Sequence, residues 1–233
     1  MVSQPVRPPD ASSRDRLLAA AAGEFAARGF DGAKVDRIAR RARVNKAMLY
    51  YHFTNKAALY REILADLFRS IAAAVVAGRQ KGGPPDAQIR RFIRTIAAET
   101  AARPHVPPIW IREIAEGGRH LDAAIVSELV SILRVLAAIL DEGRRDGTFR
   151  PVHPLVIQMG IVAPLLFFAA SAEVRERFQQ FIHAESAEVS REAIVDHVER
   201  ATLSALIAPK PSTRPPSRPP RRAHQPRPAH ARR

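Results

Sequence analysis

The sequence predicts an all-α protein, and three observations support this. Apolar residues recur at helical spacing in successive segments, as at Ile89, Phe92 and Ile96, which follow the i, i+3 and i+7 pattern. No segment alternates apolar and polar residues with period two, so no sheet is expected. Proline and glycine separate the segments, since prolines at 107–108 begin one helix and glycines at 117–118 end it.

The first elements are a helix and a helix-turn-helix. The first helix is predicted from about Ser13 to Arg28, with Gly29 as its stop, because glycine commonly follows a helix. Residues 34–53 are typical of two short helices joined by a tight turn at 42–44. In proteins with this arrangement the second helix lies in the major groove of DNA.

Further helices follow in order. A long helix is predicted from Lys56 to about Ala77, with an N-cap offered by Thr54-Asn55, before a Gly-Gly-Pro-Pro break at 82–85. Four or five more helices are expected beyond the break. Their predicted positions are a start capped by Asp86, a start at Pro107, residues 120–143, Pro154 to about Ala172, and a start capped by Ser190 that continues to about Ala208.

Length and composition fit a folded protein of one or two domains. The chain has 233 residues, of which 46% are hydrophobic and 26% charged, which is unlike a disordered chain. It contains no cysteine, which excludes disulfides and thiolate chemistry. The first ten residues hold three prolines and no apolar secretory segment, so we expect a cytoplasmic protein.

Basic charge is concentrated at the two ends of the chain. Residues 1–60 carry 11 Lys and Arg against 5 Asp and Glu, whereas residues 61–208 carry 18 of each kind. Residues 209–233 carry 8 basic residues and no acidic one. This distribution favours contact between the ends and a polyanion, with a merely solvated surface as the alternative.

The side chains of the second helix of the helix-turn-helix divide into two faces. At about 100° per residue, Leu49 and Phe53 lie on one stripe with Asn45. Ala47 and Tyr51 point the opposite way, so the helix has two apolar anchors behind and an outward face available to a partner. The coincidence of this face with the basic end favours DNA as that partner.

Geometry assigns roles to the residues of this region. Ala47 and Tyr51 are expected at base edges, and Tyr50 and His52 at phosphates on the flanks. Alternatives stay open for the flanks, since Tyr50 can be a packing residue and His52 an idle surface histidine. Lys56 and the N–H groups that begin its helix form a second expected phosphate site. The full set of predicted DNA-binding residues is Lys34, Arg43, Asn45, Lys46, Ala47, Met48, Tyr50, Tyr51, His52 and Lys56.

Several short motifs carry a resemblance to a known family. They are Arg16-Leu-Leu-x-Ala-Ala, Phe25-Ala-x-Arg-Gly-Phe-Asp-Gly, Val35-Asp-x-Ile-Ala and Ala47-Met-Leu-Tyr-Tyr-His-Phe, with Lys56 and Leu59 following. Together they resemble the DNA-binding domain of the TetR family of bacterial transcriptional regulators. The resemblance implies a homodimer that places two recognition helices on a double-stranded, partly palindromic DNA operator. It also implies that a small molecule bound in the C-terminal region releases the DNA.

Two positions depart from the family pattern. Arg43 stands where the family usually has glycine, because the backbone there tends toward positive φ, and a non-glycine residue costs about 1 kcal/mol. Either the turn differs slightly in this chain, or Arg43 accepts the strain while it reaches a phosphate. Lys34 replaces the hydroxyl residue common at that helix start, so a side-chain cap is expected to be missing.

Four segments summarise the expected organisation. A flexible N-terminal arm is expected at 1–12, the DNA-binding domain at 13–78, and the effector-binding and dimerisation domain at 84–208. The remaining 209–233 is rich in proline and arginine and is expected to be disordered, because it lacks apolar residues for a core. It adds non-specific DNA affinity in one interpretation and has no role in the other.

An effector pocket and a dimer interface are expected in the second domain. The interface is placed on helices near 154–172 and 190–208, because residues 155–172 carry no charge. That run also meets the lower length of a membrane span, but a helix buried on all sides explains it better. A pocket of this composition favours a hydrophobic or aromatic effector. The candidates for effector contact, each of which has plain core packing as its alternative, are His105, Trp110, Arg112, Glu113, His120, Phe149, Met159, Phe167 and Phe168.

The function predicted from these features is that of a ligand-responsive transcriptional repressor. A non-sequence-specific architectural protein that binds nucleic acid through both basic ends is the first alternative. A helical enzyme is the second, but the sequence has no phosphate loop, no His-Glu-x-x-His and no serine-hydrolase motif. Its eight histidines are scattered singly, so neither a metal site nor a cofactor is expected.

Overall fold

A computed structural model describes residues 12–179 and 189–207 of the chain. These residues contain ten helices and no strand, with one isolated bridge between Phe149 and Ile207, and the all-α prediction is confirmed. The predicted tail and all but the last residue of the predicted arm lie outside the described residues. In chain order the helices are α1 (Ser13–Gly32), α2 (Val35–Arg41), α3 (Lys46–His52), α4 (Lys56–Gln80), α5 (Pro85–Ala101), α6 (Val106–Ala115), α7 (Ala123–Arg145), α8 (Pro154–Ala170), α9 (Ala172–Gln179) and α10 (Arg191–Leu206).

Side-chain caps fix several helix starts where the sequence places them. Asn45, Asn55 and Ser190 each accept a hydrogen bond from a backbone N–H of the first turn, at 2.8–3.1 Å. The prediction for Asp86 is wrong, because α5 begins one residue earlier, at Pro85, without a side-chain cap. Proline suits the first position of a helix, where its missing N–H is not needed.

Gly29 bends α1 rather than ending it outright. Its φ of 68° and ψ of 179° interrupt the helical geometry, and a short further turn continues to Gly32. The interruption directs Phe30 onto α4, where its ring lies 5.2 Å from that of Tyr60. The backbone freedom of glycine therefore positions the end of α1 against the rest of the protein.

One continuous hydrophobic core joins the N-terminal helices to the remainder. It extends from Leu17 in α1 to Leu206 in α10, with α4 packed against α1, α5, α6 and α7. At the edge of this core, Glu62 of α4 accepts hydrogen bonds from Arg14 of α1 and from Arg69 of α4, at 2.9 and 3.0 Å. Burial raises the pKa of Glu62, but the hydrogen bonds from the two arginines outweigh it and hold the pKa below its ordinary value.

Beyond α4 the chain forms six helices in the described residues, one more than the upper end of the prediction. The predicted helix from Pro154 to Ala172 ends at Ala170, and α9 continues after a bend of 62°. By length and composition α7 is apolar enough to cross a membrane, and so are α8 and α9 if they count as one bent span. The buried side chains of α7 pack against α4 and α5, which accounts for its apolar face.

Candidate DNA interface and effector cavity

The helix-turn-helix is held by a small apolar core. Ile38 of α2 and Leu49 of α3 are fully buried, and Phe53 at the end of α3 is nearly so. Between α2 and α3 the turn requires Arg43 to adopt a φ of 55°. Among the described residues, Arg43 is the one residue other than glycine that adopts a positive φ. It therefore accepts the strained conformation for which the family usually has glycine.

The outward face of α3 is exposed as its spacing predicts. Tyr51 has 80% of its surface exposed, and Ala47 one turn before it is also exposed. Tyr50 is 49% exposed, so its alternative as a buried packing residue is wrong. Met48 is half-buried at the edge of this face, and the fully buried Leu49 anchors the helix from behind.

Ionic and hydrogen-bonded contacts orient the flanks of α3. The ammonium of Lys46 lies 2.8 Å from a carboxylate oxygen of Asp36 in α2, which ties the two helices together. The hydrogen bond from Asp36 and then its charge raise the pKa of Lys46. Nε2 of His52 is hydrogen bonded to Oγ of Ser13 at 2.7 Å, so His52 joins α3 to α1 and is not an idle surface residue.

Lys56 differs from its predicted role. Its ammonium donates to the backbone oxygens of Phe30 and Ala33, at 2.8 and 3.2 Å, and lies 4.4 Å from the centre of the Phe30 ring. These contacts turn the charge toward the end of α1. The sequence placed Lys56 at a phosphate because it opens a helix, whereas the structure uses it to connect α1 with α4.

Exposed cations surround the turn. Lys34 is exposed at the start of α2 and makes no side-chain cap there, as predicted. Arg40 and Arg43 are exposed, and neither side chain has an ion pair within the part of the chain that the structure describes. Arg40 was absent from the predicted set, although a basic residue one turn before the helix-turn-helix bend was a usable signal.

A large cavity lies in the C-terminal part of the protein. Its volume is about 520 Å³, which is within the range of small-molecule sites. Five helices contribute to its wall, and among the described residues that line it none carries a charge. Representative lining residues are Phe68 of α4, Thr100 of α5, Trp110 of α6, Leu129 of α7, and Gln158 and Met159 of α8.

Comparison with known proteins decides the family. Residues 17–63 match the profile of bacterial regulatory proteins of the tetR family, and residues 85–198 match that of the tetracyclin repressor-like C-terminal domain. The chain belongs to the TetR family. It is therefore a transcriptional regulator with a helix-turn-helix, and relatives in the family include proteins named as repressors.

Individual relatives agree with this assignment. The HTH-type transcriptional repressor NicS of Pseudomonas putida is 27% identical over 161 residues, which is 67% of this chain and 74% of that protein. The HTH-type transcriptional regulator RutR of Escherichia coli is 26% identical over 143 residues, or 61% and 67% of the two chains. A tetR-family protein from Rhodococcus shares the fold, with a TM-score of 0.69 at 18% identity over 85% of this chain and 100% of that one.

Two of the predicted effector residues of this TetR-family protein line the cavity. They are Trp110 and Met159. The structure places the other seven elsewhere. His105 is exposed before α6, Phe167 is 70% exposed on α8, and Phe168 lies under the guanidinium of Arg175 at 3.8 Å.

Phe149 is a core residue rather than a cavity residue. Its ring lies against Gly143 of α7 so closely that a Cβ at that glycine would overlap the ring. The backbone N–H of Phe149 donates to the carbonyl of Gly143, and the residue pairs with Ile207 beyond α10. Phe149 therefore fastens the end of α10 to α7.

Arg112 faces the DNA-binding helices instead of the cavity. Its guanidinium donates to the backbone oxygens of Phe25, at 3.0 Å, and of Ala26, both in α1. A second contact between the same regions joins Arg119 to Asp31 at 2.9 Å. The hydrogen bond from Arg119 and then its charge lower the pKa of Asp31. Charged residues of α6 and of the loop after it thus hold the end of α1.

Glu113 and His120 form a buried pair at the same junction. The carboxylate of Glu113 accepts from the backbone N–H of His120 at 2.6 Å, and its other oxygen lies 2.9 Å from the ring Nδ1. The His120 ring lies 4.1 Å from that of Phe30 and 4.8 Å from that of Tyr60. Burial and then the Glu113 charge raise the pKa of Tyr60, so its phenol stays protonated.

These polar residues partner one another, which explains why they are unavailable to an effector. Glu113, Glu116 and His120 lie close enough together to resemble a metal cluster. The oxygens of Glu113 are already occupied by His120, and Glu116 pairs with Arg119 at 2.7 Å. Gln158 lines the cavity but was not among the predicted effector residues. It is the one polar side chain between Leu155 and Ala170, and its position within an apolar helix was the available signal.

Proposed function

We propose that this TetR-family protein is a homodimeric repressor that binds a palindromic operator through α3 and leaves it when a small apolar molecule fills the cavity. The exposed Ala47 and Tyr51 supply contacts to base edges, and Tyr50, Lys34 and Arg43 supply contacts to phosphates. The cavity has the size and apolar lining of a ligand site.

The observation that carries the ligand response is the double role of α6. Trp110 and Ile114 on one side of this helix line the cavity. Arg112, between them on the other side, holds the carbonyls at Phe25 and Ala26 of α1. A ligand that shifts α6 therefore shifts the helix on which α2 and α3 are packed, and with it the spacing of the two recognition helices.

The dimer is proposed to form through α8 and α10. In one protomer Ile157, Ile161 and Leu165 of α8 are buried, whereas Val156 and Phe167 are 66% and 70% exposed. The expectation that α8 is buried on all sides included a dimer interface, so the face that one protomer leaves exposed is the face proposed to meet the second copy. A second copy that covers the exposed apolar face would remove this surface from water, at about 25 cal/mol per Å².

Selection of duplexes from a random pool tests the operator proposal. The expected product is an inverted repeat whose half-sites lie about one helical turn, or a multiple of it, apart. Binding of the recovered duplex should survive an excess of random duplex at moderate salt. Equal affinity for both duplexes would instead favour the architectural alternative, in which the basic ends bind without sequence preference.

Linkage between the two sites tests the ligand response. Dodecan-1-ol serves as an apolar probe, and the fluorescence of Trp110 reports its entry, because this is the single tryptophan of the chain and it lines the cavity. The probe should weaken operator binding by the same factor by which operator weakens probe binding. Arg112→Met should reduce this factor toward one. Arg119→Met removes the same charge from the loop after α6, which does not line the cavity, and should reduce the factor less. Probe entry without any change in operator affinity would contradict the proposal.

A further inference from the structure

Gln158, in the cavity wall, carries the one buried side-chain oxygen or nitrogen without a hydrogen-bond partner among the residues that the structure describes. It lies on α8, in a stretch that otherwise consists of apolar residues, glycine and proline. Its Oε1 is shielded from solvent and has no hydrogen-bond partner, and no bond to its Nε2 occurs within the described residues. A buried carbonyl oxygen without a donor is costly and uncommon in folded proteins.

Two other side chains of the wall carry a polar group, the hydroxyl of Thr100 and the indole N–H of Trp110, and neither is hydrogen bonded to Gln158. The remaining lining residues are apolar. The terminal torsion of a glutamine side chain is soft, so rotation can turn the amide oxygen toward the cavity that Gln158 lines. A molecule in the cavity is then the available source of the missing donor.

The wall also restricts the charge of the occupant. An anion would meet no Lys, Arg or His among the described lining residues, and a cation would meet no carboxylate. Transfer of either ion from water into such a site is strongly unfavourable. Exposed apolar side chains at the rim, including Ile114, Val126 and Met159, extend the same character to the entrance.

We propose that the effector is an uncharged, mostly apolar molecule with one hydroxyl or amide N–H that donates to Oε1 of Gln158. This inference rests on the proposed function, because it takes the cavity as the effector site. Shape and apolar area provide affinity for many molecules, whereas the donor selects among them, since only a donor satisfies the oxygen that is unpaired in the empty cavity.

Three probes with the same twelve-carbon chain separate the requirement for a hydrogen-bond donor from the requirement for an uncharged molecule. Dodecan-1-ol carries a donor, dodecyl methyl ether lacks it, and dodecanoate carries a charge; their dissociation constants follow from quenching of Trp110 in the full-length protein. We expect the alcohol to bind about tenfold more tightly than the ether, as one net hydrogen bond allows. Dodecanoate is expected to bind at least tenfold more weakly than the alcohol.

The variant Gln158→Met removes the amide and keeps a side chain of similar length. The preference for alcohol over ether should disappear, and the melting temperature should not fall, because an unpaired polar atom is replaced by an apolar one. Thr100→Val is the matched control, in which the tenfold preference should persist. Equal binding of alcohol and ether by the wild type, tight binding of dodecanoate, or a preference that survives in Gln158→Met would overturn the inference.

The outcomes also distinguish this inference from the proposed function. If all three probes bind and release operator without preference, the ligand response stands and the role of Gln158 falls. If the alcohol is preferred through Gln158 but operator affinity does not change, the role of Gln158 stands and the proposed repressor mechanism falls. If no probe changes Trp110 fluorescence, the cavity is not an apolar ligand site and both fall.

Discussion

The substitution Arg43→Gly separates two effects of this residue, the strain that its backbone adds to the turn and the phosphate contact proposed for its side chain. Arg43 holds a φ of 55°, and the left-handed conformation costs an L residue about 1–2 kcal/mol. Glycine removes that strain but loses about 0.5–1 kcal/mol more chain entropy on folding. The net gain lies between zero and about 1.5 kcal/mol, and each 1 kcal/mol raises the melting temperature of a protein of this size by about 2–4 °C.

The same substitution should weaken DNA binding. The Arg43 side chain is exposed beside α3 and has no ion pair with any residue that the structure describes. If each copy contacts one phosphate, a dimer loses two contacts. The slope of log affinity against log salt should then become shallower by roughly 0.9 per contact, or about 2 units in total.

Calorimetric melting and fluorescence anisotropy across a salt series measure the two effects. Arg40→Gly is the matched control for the melting temperature, since it also removes an exposed arginine, but from the helical end of α2. There glycine should destabilise the protein by about 0.5–1 kcal/mol. A lower melting temperature for Arg43→Gly would refute the strained turn, and an unchanged salt slope would refute the phosphate contact.

Three further outcomes follow from particular contacts. Gly143→Ala should destabilise the protein by about 2 kcal/mol or more in denaturant titration, because the new methyl overlaps a buried ring, and a loss below 0.5 kcal/mol would contradict this. Phe167→Asp should give monomers in light scattering, while Val76→Asp, at an exposed position of α4, should stay dimeric. If both variants remain dimers, α8 is not the interface. Glu62→Gln should lower stability by about 0.5 kcal/mol at pH 7. A carboxylate with a lowered pKa stabilises above its ordinary range and loses this effect as the pH falls through its pKa in the folded protein. Wild type and variant should therefore converge in strong acid, and a gap that persists there would contradict the sign.

Local chemistry made much of the DNA-binding region predictable. Asn45 and Asn55 are caps whose side chains bond their own helix starts, so sequence suffices to place them. The strain at Arg43 and the outward direction of Tyr51 follow from backbone geometry and helical period. The contact of His52 with Ser13 joins residues 39 positions apart, and no local pattern reveals it.

The cavity proposed as the effector site was less predictable, because five helices form it and its wall has the composition of ordinary core. Polar residues such as Arg112, Glu113 and His120 were predicted to contact the effector, because ligand pockets usually add a few polar groups to an apolar lining. Their partners lie on α1, on α4 and within the α6–α7 loop, and these contacts depend on tertiary packing. Gln158 was the informative polar residue, since its Oε1 is the one buried side-chain polar atom without a hydrogen-bond partner in the part of the chain that the structure describes.

The affinities of Tyr51→Ala for operator and for random duplex test whether the outward face of α3 distinguishes DNA sequence. Tyr51→Ala should bind the operator at least tenfold more weakly, with less than a twofold change for random duplex, because a base contact is worth about 1–3 kcal/mol of discrimination. Tyr50→Ala, which removes a proposed phosphate contact, should weaken binding of both duplexes alike. If Tyr51→Ala binds the operator as tightly as wild type, at an unchanged melting temperature, the outward face of α3 does not read the DNA sequence.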